Sequence, residues 1–456
     1  MQTKWLTAAA FMAVTFTASP ASADVDPIVF WNQILTQNVT GSPVLTSRSY
    51  SMVEVAMFEA INSTTGNTHQ SYLGLAPSTG NSQAAIATAA RDVLLNSVLP
   101  ANGTPARDAQ RAAIETQYQN ALAAIPAGQA RTDGINVGAA AASAVILART
   151  GDGSAPPAVP VYTPTNPPVD GHWQQTTAGA AGAPVTPWWG SVTPWGIDSG
   201  SQFRPAAPPD INDPASGFAA ALAEVQAIGE MNSATRTAFQ TQSAQYWATG
   251  GNGLAPWINA AIGAADGLGL SSLEYATLFA ALTTNVADAT IGVFDAKYTY
   301  DFWRPTTAIH DADPLSTWTS LITAPSHPSY ISGHSAVGAA AADTIAYYLG
   351  ANTQLCFIGF TCFASPLEAA QNGADSRLWG GIHYRFDNEA GFTLGHQVAQ
   401  FNLAQGLFQS VPEPQSWLMM LMGFGLIGWT IRRQGKSKTY RLALDRGQGG
   451  GPPLAS

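Results

Sequence analysis

The sequence predicts an all-α fold, a helical bundle interrupted by one long Pro- and Trp-rich loop. Three observations lead there. Apolar residues recur at helical spacing in nine segments, strand-like alternation is nearly absent, and one stretch, 150–214, has Pro and Gly in place of any period. With 456 residues, of which 46% are hydrophobic, the chain can bury a large core. The expected body is one domain, 24–410, with segments attached at both ends.

The first of these is "MQTKWLTAAAFMAVTFTASPASA", residues 1–23. Lys4 supplies the charged start, Leu6–Phe16 the apolar stretch and Ala21-Ser22-Ala23 the small-residue site, the order of a secretory signal cut before Asp24. Helical spacing then appears at 48–66, 82–98, 105–124 and the Ala-rich 129–149. The stretch 150–214, with "PVTPWWGSVTPWG", is too long and aperiodic for anything but a loop. Its tryptophans imply packing, either as a wrapped surface loop or as the wall of an active-site mouth. Helices resume at 213–228, 233–246, 271–294, 332–350 and 388–408. Beyond the domain, Pro412-Glu413-Pro414 precede an apolar run, Trp417–Ile431, and then Arg432-Arg433. As a helix this run covers about 22 Å against a hydrocarbon core of about 30 Å, a marginal membrane helix with a positive stop. The segment 411–434 is followed by a flexible tail, 435–456.

Charge narrows the partners. The net charge is −10, only 11% of residues are charged, and no basic run precedes the C-terminus, so nucleic acid is excluded. Cys356 and Cys362 are the only cysteines. Export would place them in an oxidising space, where their closeness permits a small-loop disulfide. Two buried thiols are the alternative.

Five of the seven histidines lie between 310 and 396, and no HExxH, nucleophile elbow, P-loop or GxGxxG accompanies them. Three blocks stand out: "KYTYDFWRP" with Lys297 and Arg304, "HPSYISGHS" with Ser332-Gly333-His334, and "SRLWGGIHYRFD" with Arg377, His383 and Asp387. Alone, SGHS reads as a helix cap and RP as a loop start. Together they offer three fixed cations, two of them planar guanidiniums suited to a tetrahedral oxyanion. Ser332 adds a hydroxyl and Gly333 a backbone N–H at a helix N-terminus. His334 and His383 remain for bond-making and proton work. His69, His172 and His396 read as surface or core residues, and His310 before "DADP" as part of a turn.

The ordered set K-x6-R-P, S-G-H and S-R-x5-H-x3-D resembles the signature shared by vanadium-dependent haloperoxidases and type 2 phosphatidic acid phosphatases. The C-terminal segment resembles the PEP-CTERM sorting signal cut by exosortases. The first resemblance implies that Lys297, Arg304, Ser332, Gly333 and Arg377 hold the oxygens of vanadate or phosphate. His383 would be bonded to the central atom, as vanadium ligand or as nucleophile. His334 would be the acid–base partner and Asp387 the carboxylate that orients a histidine. It implies a vanadate cofactor, with hydrogen peroxide, halide and a small organic molecule as substrates. Position 327 looks diagnostic in haloperoxidases, where His resembles bromoperoxidases and Phe chloroperoxidases; His327 then implies bromide or iodide over chloride. The other reading of His327 is a turn cap before Pro328. Three functions follow: an exported haloperoxidase, an exported soluble acid phosphatase, or a non-catalytic surface or matrix protein. The expected location is the periplasm, cell surface or matrix, with an exosortase as processing partner and the membrane touched only through the C-terminal helix.

Overall fold

The computed structural model describes residues 25–165, 168–175, 184–251 and 253–411, with Met422, Ile427, Ile431 and Arg432 beyond them. The signal segment 1–23, nearly all of 412–434 and the tail 435–456 lie outside the described residues. One compact unit takes in the chain up to Asn67 and Ser71–Phe408. In the other, Thr68–Gln70 pair with 409–411 in a single antiparallel bridge, through Gln70 N–H to Gln409 O (2.7 Å) and Val411 N–H to Thr68 O (2.8 Å).

Thirteen α-helices are present among the described residues. They are α1 (Pro27–Asn38), α2 (Pro43–Thr64), α3 (Ser82–Val93), α4 (Pro105–Ala123), α5 (Gln129–Ala148), α6 (Phe218–Gly229), α7 (Ala238–Ala248), α8 (Ala255–Ala265), α9 (Ser272–Tyr300), α10 (Pro305–Ala312), α11 (Gly333–Leu349), α12 (Pro366–Trp379) and α13 (Arg385–Ala404). Each predicted segment is helical, with shifted ends. The segment 213–228 begins only at Phe218 because Ser216 N–H closes a turn on Asp213 O (3.0 Å). The segment 388–408 begins earlier, at Arg385, because the Asp387 carboxylate accepts the N-cap N–H of Tyr384 (3.2 Å). Helices α1, α8, α10 and α12 lie outside the predicted segments, each opening on Pro in its first turn. A hairpin, β1 (Leu355–Cys356) with β2 (Cys362–Phe363), is closed by the Cys356–Cys362 disulfide, so the two-thiol alternative is wrong.

Helix α9 is the axis. It opens on a Ser271–Glu274 capping box, and its apolar length would cross a membrane by composition but is wholly buried in protein. Helices α2, α11 and α13 pack around it. The long loop lies against it for a specific reason: buried Asp288 accepts the N–H groups of Trp195 (2.7 Å), Gly196 (2.8 Å) and Ile197 (3.2 Å). Arg204 adds a two-pronged pair with Asp295 (2.6 and 2.8 Å), and Tyr298 O–H reaches Val185 O (2.6 Å). Helices α11 and α13 meet backbone to backbone, since a methyl on Gly395 would land on the carbonyl oxygen of Ala336.

Candidate active site

Turns and loops between helices bring the three sequence blocks together. Lys297 sits in the last turn of α9, which ends on Asp301 in a left-handed conformation (φ 51°). The chain turns and Arg304 caps α10 ahead of Pro305. The loop through His327 and Ser329 leads to Ser332, the N-cap of α11, so Gly333 and His334 occupy its first turn. Arg377 lies in the last turn of α12. Gly381, at φ 79°, reverses the chain toward His383, and Asp387 follows in the first turn of α13.

The polar groups interlock. Lys297 Nζ donates to the carbonyls of Pro328 (2.7 Å) and Ser329 (2.9 Å). Arg304 donates to His327 O (3.1 Å), Ile382 O (2.7 Å), His383 Nε2 (3.1 Å) and His327 Nδ1 (3.0 Å). A guanidinium only donates, so both ring nitrogens it meets are bare acceptors. His383 Nδ1 then carries the proton and donates to Asp387 Oδ2 (2.8 Å), a carboxylate also held by the Ser329 hydroxyl (2.5 Å). His334 donates through Nε2 to the carbonyl of Trp247 (2.9 Å), which leaves Nδ1 as its acceptor nitrogen.

Three buried cations thus surround one carboxylate, and the electrostatics record the imbalance. Burial, and then repulsion by Arg304, hold the Lys297 ammonium well below its ordinary value. Burial pushes Arg304 down to about 10, and burial with Arg304 pushes Arg377 down to about 9. His327, His334 and His383 are all held well below the usual imidazole range, first by burial and then by the neighbouring cations, so they stay neutral. Asp387 is raised to about 6 by burial, opposed chiefly by the Ser329 hydrogen bond. Arg377 Nε and Nη1 are buried without a hydrogen-bond partner.

Lys297, His327, Gly333, His334, Arg377 and His383 all line one cavity of about 370 Å³. Arg304 and Asp387 lie behind that lining, and so does Ser332. Its hydroxyl is taken up by the N–H of Ser335 (3.5 Å) and the Ser335 hydroxyl (2.9 Å), so it fixes the start of α11. Of the long loop, Val185 reaches the cavity wall, while Trp173, Trp189 and Trp195 are buried. Sequence reasoning missed Ser329 and the tryptophans Trp247 and Trp257. The latter could have been noticed, because "YWATGGNGLAPW" sets two tryptophans on either side of a Gly-rich turn.

Residues 277–410 match the family model of the VCPO second helical-bundle domain, and 410–434 match the PEP-CTERM protein-sorting motif. A bacterial vanadium-dependent iodoperoxidase structure superposes with a TM-score of 0.71 at 24% identity, over 85% of this chain and 97% of that one. The chain has the vanadium-haloperoxidase fold. A bacterial vanadium-dependent chloroperoxidase shares it in its holo form (TM-score 0.59, 15% identity, 81% and 94% covered) and in its apo form (0.60, 16%, 85% and 97%). No curated protein sequence matches the chain significantly. Within this fold the residues present fit an oxyanion such as vanadate: the unpaired edge of Arg377 and the excess of buried positive charge both call for an anion.

Proposed function

We propose that this chain is an exported vanadium-dependent haloperoxidase that oxidises bromide and iodide with hydrogen peroxide, and chloride poorly. The observation that carries the reading is the unpaired, buried edge of Arg377 on the same cavity as a histidine whose Nε2 bears no proton. Lys297, Arg377 and the Gly333 N–H would hold the oxygens of vanadate from the cavity wall, with Arg304 adding its charge from behind it, and His383 Nε2 would hold the metal. When bound, vanadate supplies a Lewis acid that activates peroxide without changing oxidation state.

The protein's own groups do the rest. Asp387 holds the proton on His383 Nδ1, so the opposite nitrogen keeps a lone pair, which accepts from Arg304 (3.1 Å) in this structure and would be yielded to the metal. Trp247 O holds the proton on His334 Nε2, so Nδ1 is the nitrogen that accepts and returns a proton. The balance is one peroxide, one halide and one proton to hypohalous acid and water. His327 offers a second neutral imidazole at the cavity, fixed by Arg304 and packed on Phe294 (5.6 Å between rings), and supports the bromide and iodide preference. Solved peroxidases of the same fold support halide oxidation over phosphate ester hydrolysis. The N-terminal signal and the sorting motif support export, with an exosortase-type enzyme cutting after about Pro414.

The test loads purified protein with vanadate and follows halogenation of a phenolic dye with each halide at matched peroxide. Bromide and iodide turnover well above chloride turnover is the expected result. Hydrolysis of p-nitrophenyl phosphate by vanadate-free protein, with no halide oxidised after loading, would overturn the activity. Equal chloride and bromide turnover would remove His327 as the source of preference.

A further inference from the structure

Ser329 is fully buried on the loop that leads into α11, and each of its polar groups reaches a different part of the site. Its N–H donates to Phe302 O (2.8 Å), two residues ahead of Arg304. Its carbonyl accepts from Lys297 Nζ (2.9 Å). Its hydroxyl lies 2.5 Å from Asp387 Oδ2. One serine of the second sequence block is thus tied to the first block by its backbone and to the third by its side chain.

The side-chain tie has a fixed direction. An ionised carboxylate only accepts, so the serine O–H donates. It is also the tie that the Asp387 segment cannot supply for itself. Oδ2 accepts from His383 Nδ1 (2.8 Å), Tyr384 N–H (3.2 Å) and Ser329. The first two donors sit in the carboxylate's own turn of chain, 383–387, and move with it. Of the three, Ser329 stands on another element. Oδ1 is buried without a hydrogen-bond partner, so nothing on that side steadies the group.

We infer that Ser329 is a positioning residue for the proposed metal ligand: its hydroxyl fixes the Asp387 carboxylate, which in turn holds the Nδ1 proton of His383 and the plane of its ring. This rests on the haloperoxidase reading. Without the hydroxyl, Lys297 and Phe302 keep their bonds to the Ser329 backbone, so the loop keeps its course. The carboxylate is then anchored only to its own turn, and the imidazole it orients can rock. A ligand nitrogen that strays from the line of its bond holds vanadate less well.

Proton NMR of the full chain without vanadate, with the histidine ring nitrogens labelled, reads the hydrogen bond itself. In wild type the His383 Nδ1 proton, assigned by its absence from His383→Ala, should give a sharp resonance protected from exchange with water. Ser329→Ala should speed that exchange at least about tenfold, because the acceptor is no longer held in place. Ser329→Thr, which keeps the hydroxyl, should restore the protection. In equilibrium dialysis Ser329→Ala should bind vanadate at least about tenfold more weakly than wild type, the lower end of what such outer partners of a metal ligand are worth. A role in stability alone would lower the urea midpoint and leave the resonance as it was. An unprotected Nδ1 proton in wild type, unchanged protection or unchanged vanadate affinity in Ser329→Ala, or equal losses in folded Ser329→Thr and Ser329→Ala would each overturn the inference. Halide oxidation by wild type with unchanged protection in Ser329→Ala sinks this inference alone. Protection that depends on the hydroxyl, without halide oxidation, sinks the activity and leaves the role of Ser329 standing.

Discussion

Replacing Arg377 with methionine should make the vanadate-free protein more stable and leave it unable to respond to vanadate. The guanidinium is buried with two nitrogens unpaired, and burial, with the neighbouring Arg304 charge, pushes its pKa down to about 9. At 1.36 kcal/mol per tenfold change in proton affinity, that corresponds to roughly 5 kcal/mol of unfavourable charge burial, an upper bound. Methionine keeps most of the apolar stem and removes the charge. Lost packing takes back about 1–3 kcal/mol, so the variant should gain about 2 kcal/mol. Wild type should instead gain about 2.7 kcal/mol from vanadate at a hundred times its Kd, and the variant none. The assay is urea unfolding of both proteins with and without vanadate, in buffer free of phosphate and sulfate, which share its shape. A vanadate-free Arg377→Met protein less stable than wild type would show that the guanidinium is already compensated. Equal stabilisation of both by vanadate would remove Arg377 from the anion site.

His383→Ala should bind vanadate at least a hundredfold more weakly by equilibrium dialysis with metal analysis, since it removes the one proposed bond from protein to metal. His334→Ala should keep vanadate and lose about 10²–10⁴ in kcat, the usual worth of a placed acid–base group, so unchanged steady-state turnover would contradict its role. Gly395→Ala should cost about 1–3 kcal/mol in urea unfolding, because its methyl has only the Ala336 carbonyl to displace. Glu54, buried on α2, is held well above 4.5 by burial, against a smaller opposing pull from Asn32. Its contribution to stability is therefore full below about pH 4.5 and falls by about 1.4 kcal/mol per pH unit above that, until the folded value is passed. Glu54→Gln should flatten that slope when unfolding is compared at pH 5 and pH 7.

The site residues were legible because their chemistry is rare in this chain. With 19 Lys and Arg in 456 residues, three cations spaced among histidines are conspicuous whatever their surroundings. Not every helix around them was legible. α12 carries Arg377 yet shows no apolar stripe, because Asn372, Ser376 and Arg377 are buried along with Ala369, Ala370 and Leu378. Burial on most sides erases the period that sequence reading depends on. Ser332 shows a different limit. The sequence offers a hydroxyl beside Gly333, but whether it faces a ligand or caps a helix depends on Ser335, which competes for it. Ser329, which holds Asp387, is one serine among many until the fold places it 58 residues upstream of its partner and 2.5 Å away. The cavity is lined from α2, α7, α8, α9, α11 and α12, and no local pattern encodes a space shared by six helices.

The hairpin bridge has a consequence for when the pocket is finished. The loop closed by Cys356–Cys362 carries Phe357, which packs at 5.1 Å on both Trp247 and Trp257. The same Trp247 lends its carbonyl to His334. One redox event on the surface therefore braces the aromatic wall and, through one carbonyl, the proton-handling imidazole. Thiols in a cytosol stay reduced, and the loop would then keep only its hairpin hydrogen bonds, among them Phe357 N–H to Thr361 O (2.9 Å). On the proposed export, the bridge would form only after the chain leaves that space, so the last tie behind the aromatic wall would be set by the compartment, through two cysteines six positions apart.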